Sequence, residues 1–397
     1  MRLHNLIFDP IPFKGGSKIA TSEALSQCQQ DDVHFTIVTV DKAFWQQSEL
    51  AANHEIKIIS ITAIPWLSRQ CSGVWFWLNQ LYFCLLLAVC LIRINKVDRF
   101  IAASGPGVDM SLYLVNYLLN KPIIQLIHGD VATSGAIGWC LTQTEKVFYL
   151  PSTKQSLNSA LMRYFTRRFS LDISDTLANQ YLNLNKFQPF VNGLSHKQWP
   201  SRCRVGNNHC FWAASLLKWK GLDLFVDALR SVNQELPTPT TVCYIKPKNI
   251  NLNISEAPVP VPFTEWFHDP ANLDELRQQC GIFVSTSTKE PFGLSILESL
   301  AAGQCVLIPQ DGSYWDTQLT DGENCIKYMA GDADELAAKL IFLQLQPQKL
   351  EAIQIQAFKL AKQYQAEDCY RSIVTSVSQF NSAHAQAASI VAEGKKG

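Results

Sequence analysis

The residues of this chain best suited to chemistry lie between Ser285 and Gly303, in the sequence STSTKEPFGLSILESLAAG. The pattern predicts a buried strand, a polar turn and a helix that begins at Gly293. The first N–H groups of a helix are unpaired and carry a partial positive charge, which suits a diphosphate. Glycine at that point lets a phosphate approach the backbone without a Cβ in the way. The segment therefore predicts a nucleotide-binding turn.

Two carboxylates flank the predicted helix start. Glu290 precedes it, and Glu298 falls in the second turn of the helix. Glu298 can accept two hydrogen bonds from a ribose diol, and Glu290 can reach the hydroxyls of a sugar beyond the phosphates. Carboxylate acceptors make such bonds stronger than neutral acceptors do. Two isolated glutamates would more often be surface acids, but Phe292, Gly293 and the small residues 301–303 favour a site.

A second candidate segment is ASLLKWKGLDLF, from Ala214 to Phe225. A strand is predicted to end there, and a short turn carries Lys218 and Lys220 to a helix that starts at about Gly221. Two ammonium groups beside a helix N-terminus would neutralise a departing nucleoside diphosphate. The alternative is a pair of solvated turn lysines.

Two weaker candidates lie in the first half of the chain. Gly15 and Gly16 occupy the loop between the first predicted strand and the next helix, where they permit close approach of a phosphate or an acceptor to the backbone. His128 follows the strand Ile123–Ile127 and projects from its carboxyl end. A plain turn and a structural histidine are the respective alternatives, and Asp130 is a weaker candidate for the acceptor side.

The segment from Glu290 to Glu298 resembles the E-x7-E signature of retaining GT-B glycosyltransferases of family 4, which are glycogen-synthase-like. The Asn-Gly turn at 192–193 and the loops at 311–312 and 321–324 resemble the same family, whereas the first half matches less. The resemblance implies catalytic roles for His128, Lys220 and Glu290. It implies donor binding by a larger set: Gly15, Gly16, Lys218, Lys220, Glu290, Phe292, Gly293, Leu294 and Glu298. Ser215 departs from the pattern, because the family usually has an arginine there.

The implied reaction moves a sugar from a nucleoside diphosphate to an acceptor hydroxyl, with retention of configuration. The expected acceptor is a saccharide or a lipid-linked saccharide in bacterial surface polysaccharide, lipopolysaccharide or glycolipid biosynthesis. The sequence contains no D-x-D motif between strands, so no metal and no other cofactor is expected. The alternatives are a GT-B nucleotide-sugar epimerase, a non-catalytic nucleotide-sugar-binding relative, and a membrane-scaffolding protein.

Strand-like runs alternate with helical stretches along the chain, seven runs before residue 192 and four after the polar linker 192–208. This alternation predicts parallel sheets covered by helices. The predicted fold is α/β with GT-B architecture, in which two Rossmann-like domains face a central cleft. The expected domains are an acceptor-side domain at 1–192 and a donor domain at 193–397, whose last helices can pack back on the first domain.

Composition excludes several classes of protein. The 397 residues include 34 Lys+Arg and 34 Asp+Glu, so no net field attracts nucleic acid. The twelve cysteines do not form C-x-x-C pairs, which argues against a zinc or redox site and for buried thiols in a reducing compartment. The residues from Arg2 to Asp9 form a strand pattern rather than a leader. A cytoplasmic protein is therefore expected.

The apolar run from Val74 to Ile92 is interrupted by Asn79 and Gln80 alone. Its length, about 1.5 Å per residue, would almost cross a bilayer core of roughly 30 Å. Strand patterns on both sides favour a helix buried in an α/β domain. A helix that docks on a membrane surface, at the inner face of the cell membrane, and a true span are the alternatives. Trp75 and Trp77 support the surface alternative.

Overall fold

The computed structural model of the protein describes residues 2–70, 72–94, 96–247 and 252–379. The chain divides into two compact units. The first contains residues up to 193 together with the described residues from 366 onwards, and the second contains residues 194–365. Each unit is built on one parallel sheet with helices between its strands, so the predicted pair of Rossmann-like domains is confirmed.

The first unit has a seven-stranded sheet, in agreement with the seven predicted runs. Its strands are β1 (Leu3–Asp9), β2 (Val33–Thr39), β3 (Ile56–Ser60), β4 (Arg99–Ala102), β5 (Ile123–Ile127), β6 (Lys146–Tyr149) and β7 (Phe187–Pro189). They pair in parallel in the order β3-β2-β1-β4-β5-β6-β7. The central strands are almost wholly buried, as expected where helices cover both faces of a parallel sheet.

Helices connect these strands. They are α1 (Gly16–Ser26), α2 (Lys42–Gln46), α3 (Glu49–Asn53), α4 (Pro65–Ser68), α5 (Gly73–Ile92), α6 (Met110–Leu119), α7 (Gly135–Gln143), α8 (Lys154–Phe165) and α9 (Leu171–Leu182). The strand order reverses between β1 and β4, so the loops that follow these two strands diverge at the carboxyl edge of the sheet. Open parallel sheets bind ligands at such a point.

The second unit has six parallel strands in the order β10-β9-β8-β11-β12-β13. The strands are β8 (Cys210–Ser215), β9 (Thr240–Ile245), β10 (Thr264–His268), β11 (Ile282–Val284), β12 (Cys305–Gln310) and β13 (Ile326–Met329). The helices are α10 (Leu222–Glu235), α11 (Leu273–Gln278), α12 (Leu294–Ala302), α13 (Tyr314–Gln318), α14 (Ala333–Leu345) and α15 (Pro347–Ala361). Here the order reverses between β8 and β11.

Two strands of the second unit are absent from the predicted set. They are β10 and β13, which form the two edges of the sheet. Several of their side chains are partly or fully exposed, and their sequences TEWFH and IKYM mix polar with apolar residues. These two strands therefore lack the continuous apolar run by which a buried strand is recognised in a sequence.

The helical stretch expected from Pro347 to Phe380 is three helices. After α15, the chain continues as α16 (Ala366–Cys369) and α17 (Arg371–Ser378), and the last residue of the predicted stretch lies outside the described residues. These two helices belong to the first unit, where the Arg99 guanidinium donates to the Ser376 carbonyl at 2.6 Å and to the Val377 carbonyl at 3.1 Å. The buried arginine thereby supplies hydrogen-bond donors to carbonyl groups in the last turn of α17, which have no partner within the helix.

The expectation that the run from Val74 to Ile92 is a well-buried helix of an α/β domain is wrong. Within the part of the chain that the structure describes, α5 is a helix long and apolar enough to cross a membrane, yet little of it is buried. Because β3 and β4, on either side of it, lie in one sheet, α5 is a crossover connection rather than a span. The sequence pattern could not reveal this, because a uniformly apolar run does not show which face packs inward.

A buried carboxyl lies beside the strand-order reversal of the first unit. Asp109 is wholly buried, and its Oδ2 accepts from the Ser104 N–H at 3.0 Å and the Gln125 amide at 3.1 Å. Its Oδ1 has no hydrogen-bond partner among the described residues. Burial, helped by the nearby charge of Asp9, raises the pKa of Asp109 to about 8. The carboxyl is therefore mostly protonated at neutral pH.

Asp109→Asn is expected to stabilise the protein at high pH and to have little effect at low pH. In the unfolded chain this carboxyl titrates near pH ~3.9, so its contribution to stability is present below that pH and is lost as the pH rises toward the folded pKa. Asparagine abolishes this loss and should raise the melting temperature by roughly 5 °C relative to wild type once the pH passes the folded value. Melting curves across the pH range measure the difference. A difference independent of pH would contradict the assignment.

Candidate functional site

The polar turn after β11 leads into α12 through Gly293. The glycine has a φ of +81°, a left-handed conformation that side chains disfavour, and its carbonyl accepts the N–H groups of Ile296 and Leu297 at 3.1 and 3.2 Å. A Cβ on Gly293 would lie 3.0 Å from Cγ of Glu290. Glycine is therefore required here both by the backbone conformation and by the packing of Glu290 against the helix start.

Lys220 and Glu290 meet at this helix start as an ion pair between Nζ and Oε2. Their side chains are 19% and 13% exposed, so the pair is shielded from bulk water but still open on one side. The Lys220 ammonium also lies 4.1 Å from the centroid of the Trp219 ring. Two of the residues predicted to be catalytic are thus in contact, although 70 positions separate them in the sequence.

The loops that carry Lys220 and Glu290 follow β8 and β11, the two strands between which the sheet order reverses. They are bonded to each other. The Thr286 hydroxyl donates to the Lys220 carbonyl at 2.9 Å, and the Thr288 N–H donates to the Trp219 carbonyl at 2.8 Å. The Trp212 indole N–H in turn donates to the Thr286 hydroxyl at 3.0 Å. The lysine turn is therefore positioned by strand β8 and by the turn after β11.

Gly221→Ala is expected to displace the lysine turn. Gly221 has a φ of +73°, and a Cβ there would lie 2.1 Å from the Thr286 carbonyl oxygen, a backbone atom that cannot rotate away. We expect a loss of roughly 1–3 kcal/mol of stability and separation of Lys220 from Glu290. Denaturant unfolding measures the first effect, and loss of nucleotide-induced thermal stabilisation measures the second. Gly331→Ala is the matched control, because Gly331 also has a positive φ but no atom lies within 4 Å of the added Cβ.

Glu298 has a buried partner that the sequence analysis did not identify. Arg277, on α11, places Nη2 2.5 Å from Oε2 of Glu298 and Nη1 2.9 Å from Oδ1 of Asp274. The arginine side chain is 7% exposed, whereas Glu298 keeps 30% of its side chain exposed. No local signal marks Arg277, because it lies 21 positions before Glu298 and in a different helix.

Lys218 and Phe292 play different parts from Lys220 and Glu290. Lys218 is 58% exposed and pairs with Asp223 in the first turn of α10 at 2.9 Å. Although burial opposes it, hydrogen bonds from Ser255 and Lys218 hold the pKa of Asp223 below its usual value. Phe292 is buried, with its ring 4.9 Å from that of Tyr314. Its ring packs the turn against α13. Leu294, two positions later, is the first residue of α12.

His128 and the glycine loop belong to the first unit. His128 Nε2 lies 3.0 Å from the Thr21 hydroxyl, and its ring meets Phe190 edge to face at 5.4 Å. Its Nδ1 is shielded from solvent and has no hydrogen-bond partner within the described ranges. Burial lowers the pKa of His128 to about 4, so the ring is neutral at physiological pH. Gly15 caps α1 in an extended conformation, and Gly16 is the first residue of that helix.

A buried lysine fixes the loop that carries Gly15. Lys18 Nζ lies 2.9 Å from Asp9 and 3.2 Å from Asp41, and it donates to the Ile11 carbonyl at 2.6 Å. The lysine is almost wholly buried and is compensated by both carboxylates. The sequence analysis did not single out Lys18, although its position one turn after a glycine pair was the available signal.

The region that contains this site matches a known family. Residues 199–360, all within the second unit, match the family model of glycosyl transferases group 1. No curated protein sequence shows significant similarity to the chain.

Several solved structures are similar over nearly the whole chain. Alr3699/HepE from Anabaena, in complex with UDP, is 16% identical with a TM-score of 0.66, and the match covers 96% of this chain and 100% of that one. A glycosyltransferase from Rickettsia africae ESF-5 is 16% identical with a TM-score of 0.64 and the same coverage. The pneumococcal O-GlcNAc transferase GtfA, in complex with UDP and GlcNAc, is 10% identical with a TM-score of 0.62, covering 95% and 98%.

The fold is that of the GT-B glycosyltransferases. Together with the family match, this fold supports the assignment of the chain to the glycosyltransferase superfamily. Within this GT-B chain, the predicted residues separate into two groups. Lys218, Lys220, Phe292, Leu294 and both glutamates are in the second unit, with Gly293, around the strand-order reversal. Gly15, Gly16 and His128 are in the first unit at the carboxyl edge of its sheet.

Proposed function

We propose that the chain is a retaining glycosyltransferase that moves a sugar from a nucleoside diphosphate to an acceptor hydroxyl. The observation that carries this proposal is the contact of Lys220 with Glu290 at the start of α12. The departing diphosphate gains negative charge as the bond to the sugar breaks. The Lys220 ammonium and the free N–H groups at the helix start stabilise that charge more than the ground state. Glu290 orients the hydroxyls of the sugar.

The nucleotide of the donor is proposed to bind along the turn from Glu290 to Glu298. The diphosphate lies over Gly293 and Leu294, and the ribose diol donates to Glu298. A UDP-sugar is the first candidate, because the similar structures of HepE and GtfA hold UDP. Lys220 takes the electrostatic role that a divalent ion has in other transferases, so we expect transfer to continue in the presence of EDTA.

The acceptor is proposed to be a saccharide or a lipid-linked saccharide of bacterial surface polysaccharide, lipopolysaccharide or glycolipid biosynthesis. The reaction would take place in the cytoplasm, at the inner face of the cell membrane. The exposed apolar helix α5 supports that location. The resemblance implies a catalytic role for His128, and because burial keeps its ring neutral at physiological pH, the histidine adds no charge in this proposal.

A thermal-shift panel of UDP-, GDP-, ADP- and TDP-sugars tests the donor class, because a ligand that binds the native state raises its melting temperature. The sugar nucleotide with the largest shift is then incubated with saccharide acceptors, and the anomeric configuration of the product is read by NMR. Isomerisation of the donor without acceptor would indicate an epimerase. Binding without turnover would indicate a non-catalytic relative. Ser215 favours this alternative, because the family that the sequence resembles usually has an arginine at that position. No shift with any nucleotide would overturn the proposal.

A further inference from the structure

One face of helix α5 packs Phe83, Leu87 and Cys90 into the core of the first unit, and the opposite face is apolar and exposed. Asn79 and Gln80 are buried, and the Gln80 side-chain carbonyl accepts the Ser111 N–H of α6 at 2.9 Å. The opposite face exposes 43–85% of each of six apolar residues: Val74, Leu78, Leu81, Leu85, Val89 and Ile92. Their spacing of three or four positions places them in one stripe along the helix. These six residues are named the α5 face.

The α5 face runs along the whole length of the helix. From Val74 to Ile92 it extends for about 27 Å at 1.5 Å per residue. Trp75 is 52% exposed, and its ring lies 5.3 Å from that of Trp66 of α4, which is 54% exposed. Indole rings favour the boundary between water and hydrocarbon. An apolar surface of this extent marks an interaction site in a folded protein.

The exposed charges near the ends of the α5 face are mostly basic. Between Glu55 and Asp98 the sequence contains Lys57, Arg69, Arg93 and Lys96 but no Asp or Glu. Arg93 is exposed at the end of α5. Lys96, three positions later, is also exposed and pairs with the largely shielded Asp98 at 3.0 Å. A symmetric pairing of two copies through this face would bring like charges together at both ends. An anionic surface would instead attract them.

We infer that the α5 face, with Trp66 and Trp75, docks the protein on an anionic lipid bilayer. The apolar stripe enters the boundary between headgroups and acyl chains, and Arg93 and Lys96 contact the headgroups. The inference rests on the proposed location of the reaction at a membrane and names the surface that reaches it. The helix lies in the membrane plane and does not span it, because β3 and β4 remain in one sheet.

Vesicle sedimentation of the full chain tests the inference. Wild type is mixed with vesicles of phosphatidylcholine alone or of phosphatidylcholine with phosphatidylglycerol. It should bind the anionic vesicles at least about tenfold more tightly, and added salt should weaken that binding. The variant Leu81→Gln/Leu85→Gln/Ile92→Gln should lose most of the binding. The matched control Leu171→Gln/Ile173→Gln/Leu345→Gln changes three apolar residues elsewhere that are 50–68% exposed, and it should bind as wild type does.

Three results would overturn the inference: wild type that does not bind vesicles, a triple variant that binds as well as its control, and a wild-type dimer by light scattering that the triple variant converts to a monomer. The last result would assign the α5 face to a second copy of the chain. Nucleotide-induced thermal shifts, measured on the same proteins, separate this outcome from the proposed transfer. The α5 variant should retain them, because all substituted residues are exposed.

Arg277 supports a separate proposal, carried by a different observation. Its guanidinium is buried and binds Glu298 on one side and Asp274 on the other. Its carbonyl accepts the Gln304 side-chain amide at 3.0 Å, which fixes the backbone of the arginine as well. Glu298 is thus held by a rigid donor and keeps its exposed side free. We propose that Arg277 is a positioning residue that orients Glu298 for the ribose hydroxyls, a role that rests on the proposed function.

Binding of UDP and of 2′-deoxy-UDP to Arg277→Met tests this role. If the arginine acts through Glu298, the variant should lose about tenfold in affinity for UDP and distinctly less for the deoxy analogue, which lacks one of the hydroxyls. The KM for the donor should rise more than kcat falls. Arg230→Met, which changes an exposed arginine paired with Asp227 on α10, should bind both nucleotides as wild type does.

The outcomes separate the role of Arg277 from the proposed function. Equal losses for the two nucleotides, or a lowered melting temperature with unchanged binding, would show a structural role alone and overturn the positioning role. Failure of wild type to bind UDP would overturn both the UDP donor and the role assigned to Arg277.

Discussion

Lys220→Ala is expected to lower kcat by about 10²- to 10³-fold, the usual cost of removing one preorganised donor to a developing negative charge. Lys220 is held at the start of α12 by the turn that ends at Gly221, and its ammonium reaches Glu290. The substitution removes the cation that would neutralise the departing diphosphate, while the N–H groups of the helix start remain. Donor binding should therefore weaken less than turnover. Steady-state kinetics with the sugar nucleotide that gives the largest thermal shift measures both effects.

The control for this substitution is Lys359→Ala, which changes an exposed lysine on α15 of the same unit. Its kcat should stay within about twofold of wild type, as is usual for surface changes away from a site. The unfolding curve of Lys220→Ala shows whether the unpaired Glu290 also reduces stability, because that carboxylate is only 13% exposed. A turnover rate equal to that of the control, in a folded variant, would remove Lys220 from the mechanism.

Glu298→Ala is expected to abolish measurable donor binding. The carboxylate accepts two hydrogen bonds from the ribose diol in the proposed complex, and hydrogen bonds to a charged group contribute about 1.5–3 kcal/mol each. Loss of both corresponds to at least roughly a hundredfold weaker binding. The readout is the nucleotide-induced rise in melting temperature, followed over a concentration series. Transfer activity that survives the substitution undiminished would count against the site.

The substitution also leaves Arg277 without one of its two partners, so the stability of the variant must be measured without ligand. Glu298→Gln is the companion variant, because its carbonyl can still accept a hydrogen bond in the same place. It should retain part of the binding that alanine loses. Glu351→Ala, an exposed glutamate on α15, controls for the loss of a surface charge and should bind nucleotide normally.

The central strands and the site turns could be predicted from the sequence, because their signals are local. Apolar runs bounded by Gly, Pro and polar residues predicted all seven strands of the first sheet within a few positions. Gly293 and Gly221 are required by backbone conformations set within a few residues. The edge strands β10 and β13 could not be predicted in this way, because their sequences TEWFH and IKYM mix polar with apolar residues and contain no continuous apolar run.

Two features depended on the tertiary structure alone. The pairing of Arg277 with Glu298 joins two helices, and nothing near either residue indicates the other. The outward direction of the α5 face follows from the packing of Phe83, Leu87 and Cys90 in the core and from the bond of Gln80 to α6, which a uniformly apolar run does not indicate. Sequence spacing determines which residues share an element and a turn. Packing between elements distant in sequence decides which side chains meet, since it depends on the whole core at once.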